Sequence, residues 1–132
     1  MTLRIVLGTA LVAGGVAALA PASAAYGSSA PKTVIKLSVV PQAGGPGRSA
    51  TLTCEPVGGD HPYAVVACDE LAKTRGDVQR VPGASGRFCL PYESLVVANA
   101  TGYWLGKPIQ PYSEVITNDG CAAIAHGRVL DF

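Results

Sequence analysis

The sequence predicts a single small α+β domain, with an antiparallel sheet of about five strands, a helix packed on one face and two disulfides. Three observations predict this class. The 132 residues suffice for one domain. Several short segments alternate apolar and polar residues, and one stretch between them has helical spacing. Four cysteines follow an N-terminal segment typical of exported proteins.

Residues 1–24 have the pattern of an export signal. Arg4 precedes an apolar run over residues 5–19, and residues 22–24 supply the small-x-small pattern that signal peptidase accepts. The apolar run is shorter than the roughly 20 residues that a bilayer span needs. We therefore expect cleavage after Ala24, a secreted, extracellular product, and no membrane association once the signal is removed.

The remainder is predicted to form a flexible arm, residues 25–33, and one folded domain, residues 34–132. Strands are favoured where β-branched residues alternate with polar ones between turns rich in Gly and Pro. They are predicted at residues 33–40, 49–54, 93–98, 103–107, 112–117 and 128–132.

A helix is predicted over residues 62–74, where the spacing of the apolar residues changes from the alternation of a strand to that of a helix. Val65, Cys68, Leu71 and Ala72 fall at helical spacing, and Gly76 is placed to end the helix. Residues 77–87 contain Pro and Gly and are predicted to be a loop.

The four cysteines of an exported chain are expected to oxidise in pairs. They allow three connectivities, and the residues alone do not choose between them. We favour the pairing of neighbours in order, because it ties two separate segments locally, and the shorter loop alone would contribute about 3 kcal/mol. This pairing joins Cys54 to Cys68 and Cys89 to Cys121.

Several functions are disfavoured by composition and spacing. With a formal charge of +1, the chain lacks the excess of basic residues that is typical of proteins that bind nucleic acid. No two cysteines lie at zinc-ligand spacing, so we expect no metal and no cofactor. His61 and His126 lack the companion residues of a hydrolase, and each is interpreted as a turn or capping residue. An enzyme is therefore the weakest hypothesis.

The most conspicuous irregular stretch, residues 87–93, lies within a longer pattern. The spacing of its motifs resembles that of the Streptomyces-type subtilisin inhibitor family from about residue 34 to the end. The matching motifs are Thr51-Leu52-Thr53-Cys54-x-Pro56, Gly59-x-His61-Pro62, Ala67-Cys68-x-x-Leu71, Gly76-Asp77, Cys89, Gly102-x-Trp104-x-Gly106-Lys107, Tyr112, Asn118, Cys121 and Phe132.

The resemblance implies a secreted inhibitor of subtilisin-like, and in some members trypsin-like, serine proteases. It also implies an antiparallel sheet with two helices, so that one or two helices are expected, and a homodimer that pairs through the sheet. The same two disulfides are implied, with the second pinning a loop that enters the protease cleft like a substrate. Such a loop meets the ordering cost of a peptide before it binds.

The implied reactive-site loop comprises Cys89, Leu90, Pro91, Tyr92 and Glu93, and the resemblance makes Asn118 its support from beneath. Counting forward from Cys89 makes Pro91-Tyr92 the scissile bond, whereas counting back from Tyr92 makes it Leu90-Pro91. Both alternatives are open at this stage. The stretch from Asn118 to Cys121 also has one residue more than the family pattern.

Three hypotheses follow. The first is an inhibitor of a secreted subtilisin-like protease. The second is a diverged relative that binds another secreted enzyme, such as a metalloprotease or a transglutaminase, or that has lost inhibition. The third is an enzyme.

Overall fold

The computed structural model describes residues 14–15, 18–20 and 29–132. The predicted export signal and the first part of the predicted arm lie outside the described residues, apart from 14–15 and 18–20. Within the part of the chain that is described, no helix is long and apolar enough to cross a membrane.

Six strands of the described chain form one antiparallel sheet. β1 lies between β2 and β4, β3 extends the β2 edge, and both β5 and β6 pair with β4. The predicted antiparallel sheet is therefore confirmed. The strands are β1 (Thr33–Pro41), β2 (Arg48–Cys54), β3 (Gly58–Gly59), β4 (Val96–Trp104), β5 (Lys107–Pro108) and β6 (Tyr112–Ile116).

Two helices, α1 (Ala64–Lys73) and α2 (Asp119–Ala125), pack against the inner face of the sheet, and a short 3₁₀ helix (Val78–Arg80) lies between α1 and β4. The period-2 alternation of β1 places Ile35, Leu37 and Val39 in the core. These side chains are buried against Leu71 of α1 and Ala122 of α2 in one hydrophobic cluster. The α+β class is confirmed.

The boundaries of α1 agree with the predicted helix to within two residues, but its buried stripe differs from the prediction. Val65 is exposed, and so is Ala72, whereas Ala67 takes a place in the core beside Cys68 and Leu71. The inward stripe therefore begins one residue earlier than predicted, with Ala64 packed against the core.

α1 ends next to Gly76, as predicted, although the left-handed residue that follows the C-cap Thr74 is Arg75, with φ +56°. The N–H of Gly76 donates to the Leu71 carbonyl at 2.9 Å, and the N–H of Arg75 donates to the Ala72 carbonyl at 3.3 Å, which is a Schellman ending. The φ of Gly76 is +84°, and the Trp104 side chain lies where a Cβ would stand. The glycine therefore also lets Trp104 pack against the end of the helix.

Two predicted strands, 93–98 and 103–107, are correct only in part, because each overlaps one end of β4. The predicted strand 93–98 starts too early, and β4 continues through Gly102, which was expected to be a turn. Gly102 has φ +137° and lies against the Val34 carbonyl, so it is a strand position where two backbones approach closely. The predicted strand 103–107 is instead a tight hairpin, because Leu105 and Gly106 both have positive φ.

The predicted strand 128–132 is wrong. Val129 and Leu130 are both fully buried, which is incompatible with strand alternation, and the segment turns through bonds from Val129 to His126 and from Asp131 to Arg128. The helix before it, α2, was not predicted from the residues. In the predicted loop 77–87, the 3₁₀ helix was missed as well.

A polar cluster fixes the end of α2 against β6. The Tyr112 hydroxyl donates to Glu114 Oε2 at 2.6 Å, and His126 Nε2 lies 3.0 Å from the same oxygen. His126 Nδ1 lies 2.7 Å from the Val81 carbonyl. His126 is thus a buried structural residue at the helix end, consistent with its interpretation as a capping residue. Burial and the neighbouring carboxylate raise the pKa of Tyr112.

The cluster predicts a specific acid sensitivity. Hydrogen bonds from Tyr112 and His126 hold the pKa of Glu114 below its ordinary value of 4.5. A carboxyl whose pKa falls on folding stabilises the fold above its unfolded pKa, and this contribution is lost as pH falls through the folded pKa. In urea unfolding between about pH 5 and pH 3, Glu114→Gln should therefore flatten the decline of the unfolding free energy.

The matched control is Glu55→Gln, which changes an exposed carboxylate outside the cluster. This variant should keep the wild-type decline. Identical pH profiles for Glu114→Gln and the wild type would contradict the role given to the cluster.

Candidate functional site

The chain between the 3₁₀ helix and β4 presents apolar side chains to solvent. Phe88, Leu90 and Tyr92 are 94%, 74% and 55% exposed, and residues 87–95 form no helix or strand. Residues 87–95 are called the braced loop below. Contiguous exposed apolar side chains in a small soluble domain mark an interaction surface. Alternate positions along an extended chain would direct these three side chains the same way.

The residues on both sides of the centre of the braced loop are held by contacts with residues 117–132, in the C-terminal part of the chain. On the upstream side, Cys89 is joined to Cys121, and Arg87 Nη1 lies 2.9 Å from the Asp131 carboxylate. On the downstream side, the Ser94 N–H donates to the Thr117 carbonyl at 2.9 Å. The loop is therefore exposed in its side chains and restrained in its backbone.

Asn118 holds the centre of the loop from beneath. Its side chain is fully buried, and Nδ2 donates to the carbonyls of Leu90 and Tyr92, both at 2.8 Å. Its Oδ1 accepts from the Cys121 N–H at 2.9 Å, which caps the N-terminus of α2. One side chain thus joins the helix start to two loop carbonyls, on either side of Pro91.

The C-terminal segment, residues 117–132, is itself clamped to the sheet. Arg48 of β2 bonds the Asp119 carboxylate at 2.7 Å and the carbonyls of Leu130 and Phe132 at 2.8 and 2.7 Å. Its guanidinium also lies over the Phe132 ring, 4.5 Å from the centroid. The support of the loop therefore rests on the sheet.

His61 adds a second link to the C-terminal segment. Its Nδ1 accepts from the Tyr63 N–H at 3.0 Å, and its Nε2 lies 2.9 Å from the Val129 carbonyl. The side chain is buried, so its role at the start of α1 is structural, as the sequence favoured.

The predicted loop residues, Asn118 and the Cys89–Cys121 disulfide lie together in this assembly, whereas Cys54 and Cys68 join β2 to α1 away from it. Both predicted disulfides, Cys54–Cys68 and Cys89–Cys121, are present. Asn118 contacts the backbone of Leu90 and Tyr92, despite the extra residue before Cys121, whereas Glu93 is exposed on the downstream side. Among the described residues, no group of three metal-ligating side chains comes together.

Sequence reasoning missed three contributors to the site. The exposure of Phe88 could have been suspected from its place beside the loop cysteine. The contacts of Arg87 with Asp131 and of Arg48 with Asp119 join residues 44 and 71 positions apart, and no local pattern signals such pairs.

Comparison with known proteins shows the family of the chain. The profile of the family described as subtilisin inhibitor-like matches residues 27–118. The chain belongs to the subtilisin inhibitor-like family. The resemblance seen in its motifs is thereby confirmed, and Asn118 is the last residue of the matched stretch.

Relatives of this subtilisin inhibitor-like protein occur in Streptomyces. The probable subtilase-type protease inhibitor of Streptomyces avermitilis is 32% identical over 120 residues, covering 88% of this chain and 82% of that protein. The subtilisin inhibitor of Streptomyces albogriseolus is 35% identical over 106 residues, with 80% and 72% covered. The trypsin inhibitor STI2 of Streptomyces longisporus is 32% identical over 114 residues, with 86% and 77% covered.

A solved structure has the same fold. It is that of Streptomyces caespitosus sermetstatin in complex with Bacillus licheniformis subtilisin. The TM-score is 0.60, the identity is 24%, and the match covers 76% of this chain and 98% of that chain. At this identity the likeness supports the fold alone.

The role of the Asn118 amide can be tested with one atom's change. Asn118→Asp keeps an oxygen that caps α2 but replaces the Nδ2 donor by a second oxygen, which then faces two carbonyl oxygens. We expect a loss of about 1–3 kcal/mol in the free energy of urea unfolding, together with faster backbone amide exchange at Ser94, whose N–H donates to the Thr117 carbonyl at the downstream end of the loop.

Gln79→Glu is the control, because it makes the same amide-to-carboxylate change on an exposed side chain of the 3₁₀ helix. It should leave loop exchange unchanged. If Asn118→Asp behaved like Gln79→Glu in both measurements, the amide would not be what holds the loop.

Proposed function

We propose that this protein is secreted and inhibits a subtilisin-like serine endopeptidase by placing the braced loop in the substrate cleft. Its family consists of serine protease inhibitors, so the chain is an inhibitor and not an enzyme. The observation that carries the mechanism is the grip of Asn118 on the backbone of Leu90 and Tyr92, beside the Cys89–Cys121 disulfide. Export is supported by the signal pattern of residues 1–24.

The braced loop combines a restrained backbone with exposed side chains, the two properties of a loop that binds a protease like a substrate. Its restrained backbone can add a strand to the substrate-binding edge of the protease without first being ordered. Exposed apolar side chains at Phe88, Leu90 and Tyr92 are then free to enter the enzyme's subsites.

Cleavage of such a loop is readily reversed. The enzyme's serine oxygen adds to a loop carbonyl carbon, the peptide C–N bond breaks, and the serine proton passes to the departing amine. The anchors at Cys89 and Ser94 keep both new ends in place, so the amine stays beside the acyl carbon. The high effective concentration of the amine favours the reverse reaction, in which the C–N bond forms again and the serine is released.

We also propose that two copies pair through the outer face of the sheet. Val40, Val97 and Val115 form a row across β1, β4 and β6, because Val97 is in register with both of the others. Val40 is 37% and Val115 is 52% exposed. A row of valines on an open sheet face is suited to burial against an identical row related by a two-fold axis.

The inhibitory loop is tested by titrating subtilisin with the wild type and with the double variant Cys89→Ser/Cys121→Ser. The wild type should inhibit. The variant should lose about tenfold or more in affinity, because the loop must then be ordered on binding, and it should be cleaved during the assay as an ordinary substrate, which mass spectrometry would detect.

Cys54→Ser/Cys68→Ser is the matched control, since it removes the disulfide that joins β2 to α1, away from the loop. It should reduce stability while the inhibition constant stays close to that of the wild type. Equal loss of inhibition in both double variants would point to general destabilisation and against a specific tethering of the loop.

The proposed pairing predicts that Val97→Lys, at the centre of the valine row, converts a dimer to a monomer in sedimentation equilibrium. A charge buried between two apolar sheet faces is strongly unfavourable. Gln79→Lys adds the same charge in the 3₁₀ helix and should leave the dimer intact. A wild-type protein that sediments as a monomer would refute the pairing.

A further inference from the structure

The direction of the loop carbonyls distinguishes the two possible scissile bonds. A carbonyl attacked by a serine protease must point out of the inhibitor, toward the donors that stabilise its developing negative charge. The carbonyl of Leu90 points inward instead, because it accepts from the buried Asn118 amide at 2.8 Å. Attack at Leu90 would require that bond to break and the backbone to turn over.

Pro91 is the residue whose carbonyl the geometry leaves free. The Tyr92 carbonyl is also bound by Asn118, and successive carbonyls of an extended chain point to opposite sides. No donor among the described residues bonds the Pro91 oxygen. Of three consecutive carbonyls, the two outer ones therefore face the protein and the middle one faces outward.

Asn118 is also placed to hold both products of cleavage after Pro91. The Leu90 carbonyl would belong to the upstream fragment and the Tyr92 carbonyl to the downstream fragment, and one amide bonds each. The disulfide at Cys89 and the bond from Ser94 to Thr117 restrain the same two fragments further out. Cleavage before Pro91 would instead turn the carbonyl bonded by Asn118 into the new carboxylate.

We infer that Pro91 enters the primary specificity pocket of the protease, and that the preferred partner is a serine endopeptidase that cleaves after proline. The inference rests on the proposed function of the braced loop. Proline has a fixed φ and lacks an N–H, so it offers the enzyme a small ring and no backbone donor at that residue. A pocket built for a long apolar or basic side chain stays partly empty, whereas a pocket shaped for the proline ring is filled.

The neighbouring residues fit this role. The residue before a proline is restricted to extended conformations, so Pro91 itself helps to keep Leu90 in the shape that a protease cleft binds. Leu90 and Phe88 remain exposed on the upstream side as apolar contacts for the adjoining subsites. Pro91 thus determines which protease the loop prefers, whereas the apolar contacts of Leu90 and Phe88 suit proteases of many specificities.

The register is tested with trypsin, whose pocket requires a basic side chain. Pro91→Lys should create inhibition of trypsin. Leu90→Lys/Pro91→Ala, which places the basic side chain one residue earlier and removes the proline that would follow it, should not. After long incubation of Pro91→Lys with trypsin, the cleaved fraction should show a new N-terminus at Tyr92. Inhibition created by Leu90→Lys/Pro91→Ala and not by Pro91→Lys would overturn the assignment of Pro91.

The partner is tested by titrating two enzymes, subtilisin and a secreted serine endopeptidase that cleaves intact proteins after proline. The wild type should inhibit the proline-specific enzyme about tenfold or more tightly than Pro91→Met does, and Pro91→Met should gain a similar factor on subtilisin. A wild type that fails on the proline-specific enzyme, while Pro91→Lys and Pro91→Met inhibit trypsin and subtilisin, would overturn the partner class and leave the proposed function intact. Absence of inhibition by every folded variant on all three enzymes would instead overturn the proposed function.

Discussion

The hydrogen bonds of one buried amide, that of Asn118, hold the conformation of the braced loop, to which we assign the proposed inhibition. A buried NH₂ group must find acceptors, because leaving a buried donor unsatisfied costs about 1–3 kcal/mol. Here the acceptors are two carbonyls of the braced loop, and the oxygen of the same amide caps α2. If the loop changed its conformation, the buried amide would lose its two acceptors. If the amide moved, α2 would lose its N-terminal cap.

This constraint works because the C-terminal segment behind it is rigid. Arg48 joins the sheet to Asp119 and to the backbone at Leu130 and Phe132, and the segment also supplies the partner cysteine of Cys89. The result is a division of labour within a small domain, in which the sheet supports the C-terminal segment and the segment supports the loop. The loop can then expose large apolar side chains and still present an ordered backbone.

Sequence patterns predicted the parts of this structure that depend on local periodicity. The alternation in β1 and β2 and the helical spacing of α1 gave those elements to within two residues. Gly102 was predicted to be a turn residue but lies within β4. Glycine is typical both of turns and of places where two backbones approach closely, and only the position of Val34 distinguishes the two. α2 was missed because its first residues, Asp119 and Gly120, are also typical of turns. Its signal was the capping position of Asn118.

The candidate site was located from the resemblance, but its register was not. The spacing of Cys89, Pro91 and Tyr92 allows two scissile bonds, and only the direction of the Leu90 and Tyr92 carbonyls separates them. That direction is set by a side chain 28 residues away from Leu90, which no local pattern encodes.

The central claim, that the Asn118 amide is buried and bonded to the loop, is tested most directly by hydrogen exchange of side-chain amides in solution. The side-chain amide of Gln79 is exposed in the 3₁₀ helix, away from the sheet, and serves as the internal reference. We predict that in NMR spectra both Nδ2 protons of Asn118 exchange far more slowly than the side-chain amide protons of Gln79 and show contacts to residues 90–92. Exchange of the Asn118 amide as fast as that of Gln79, without such contacts, would contradict the account.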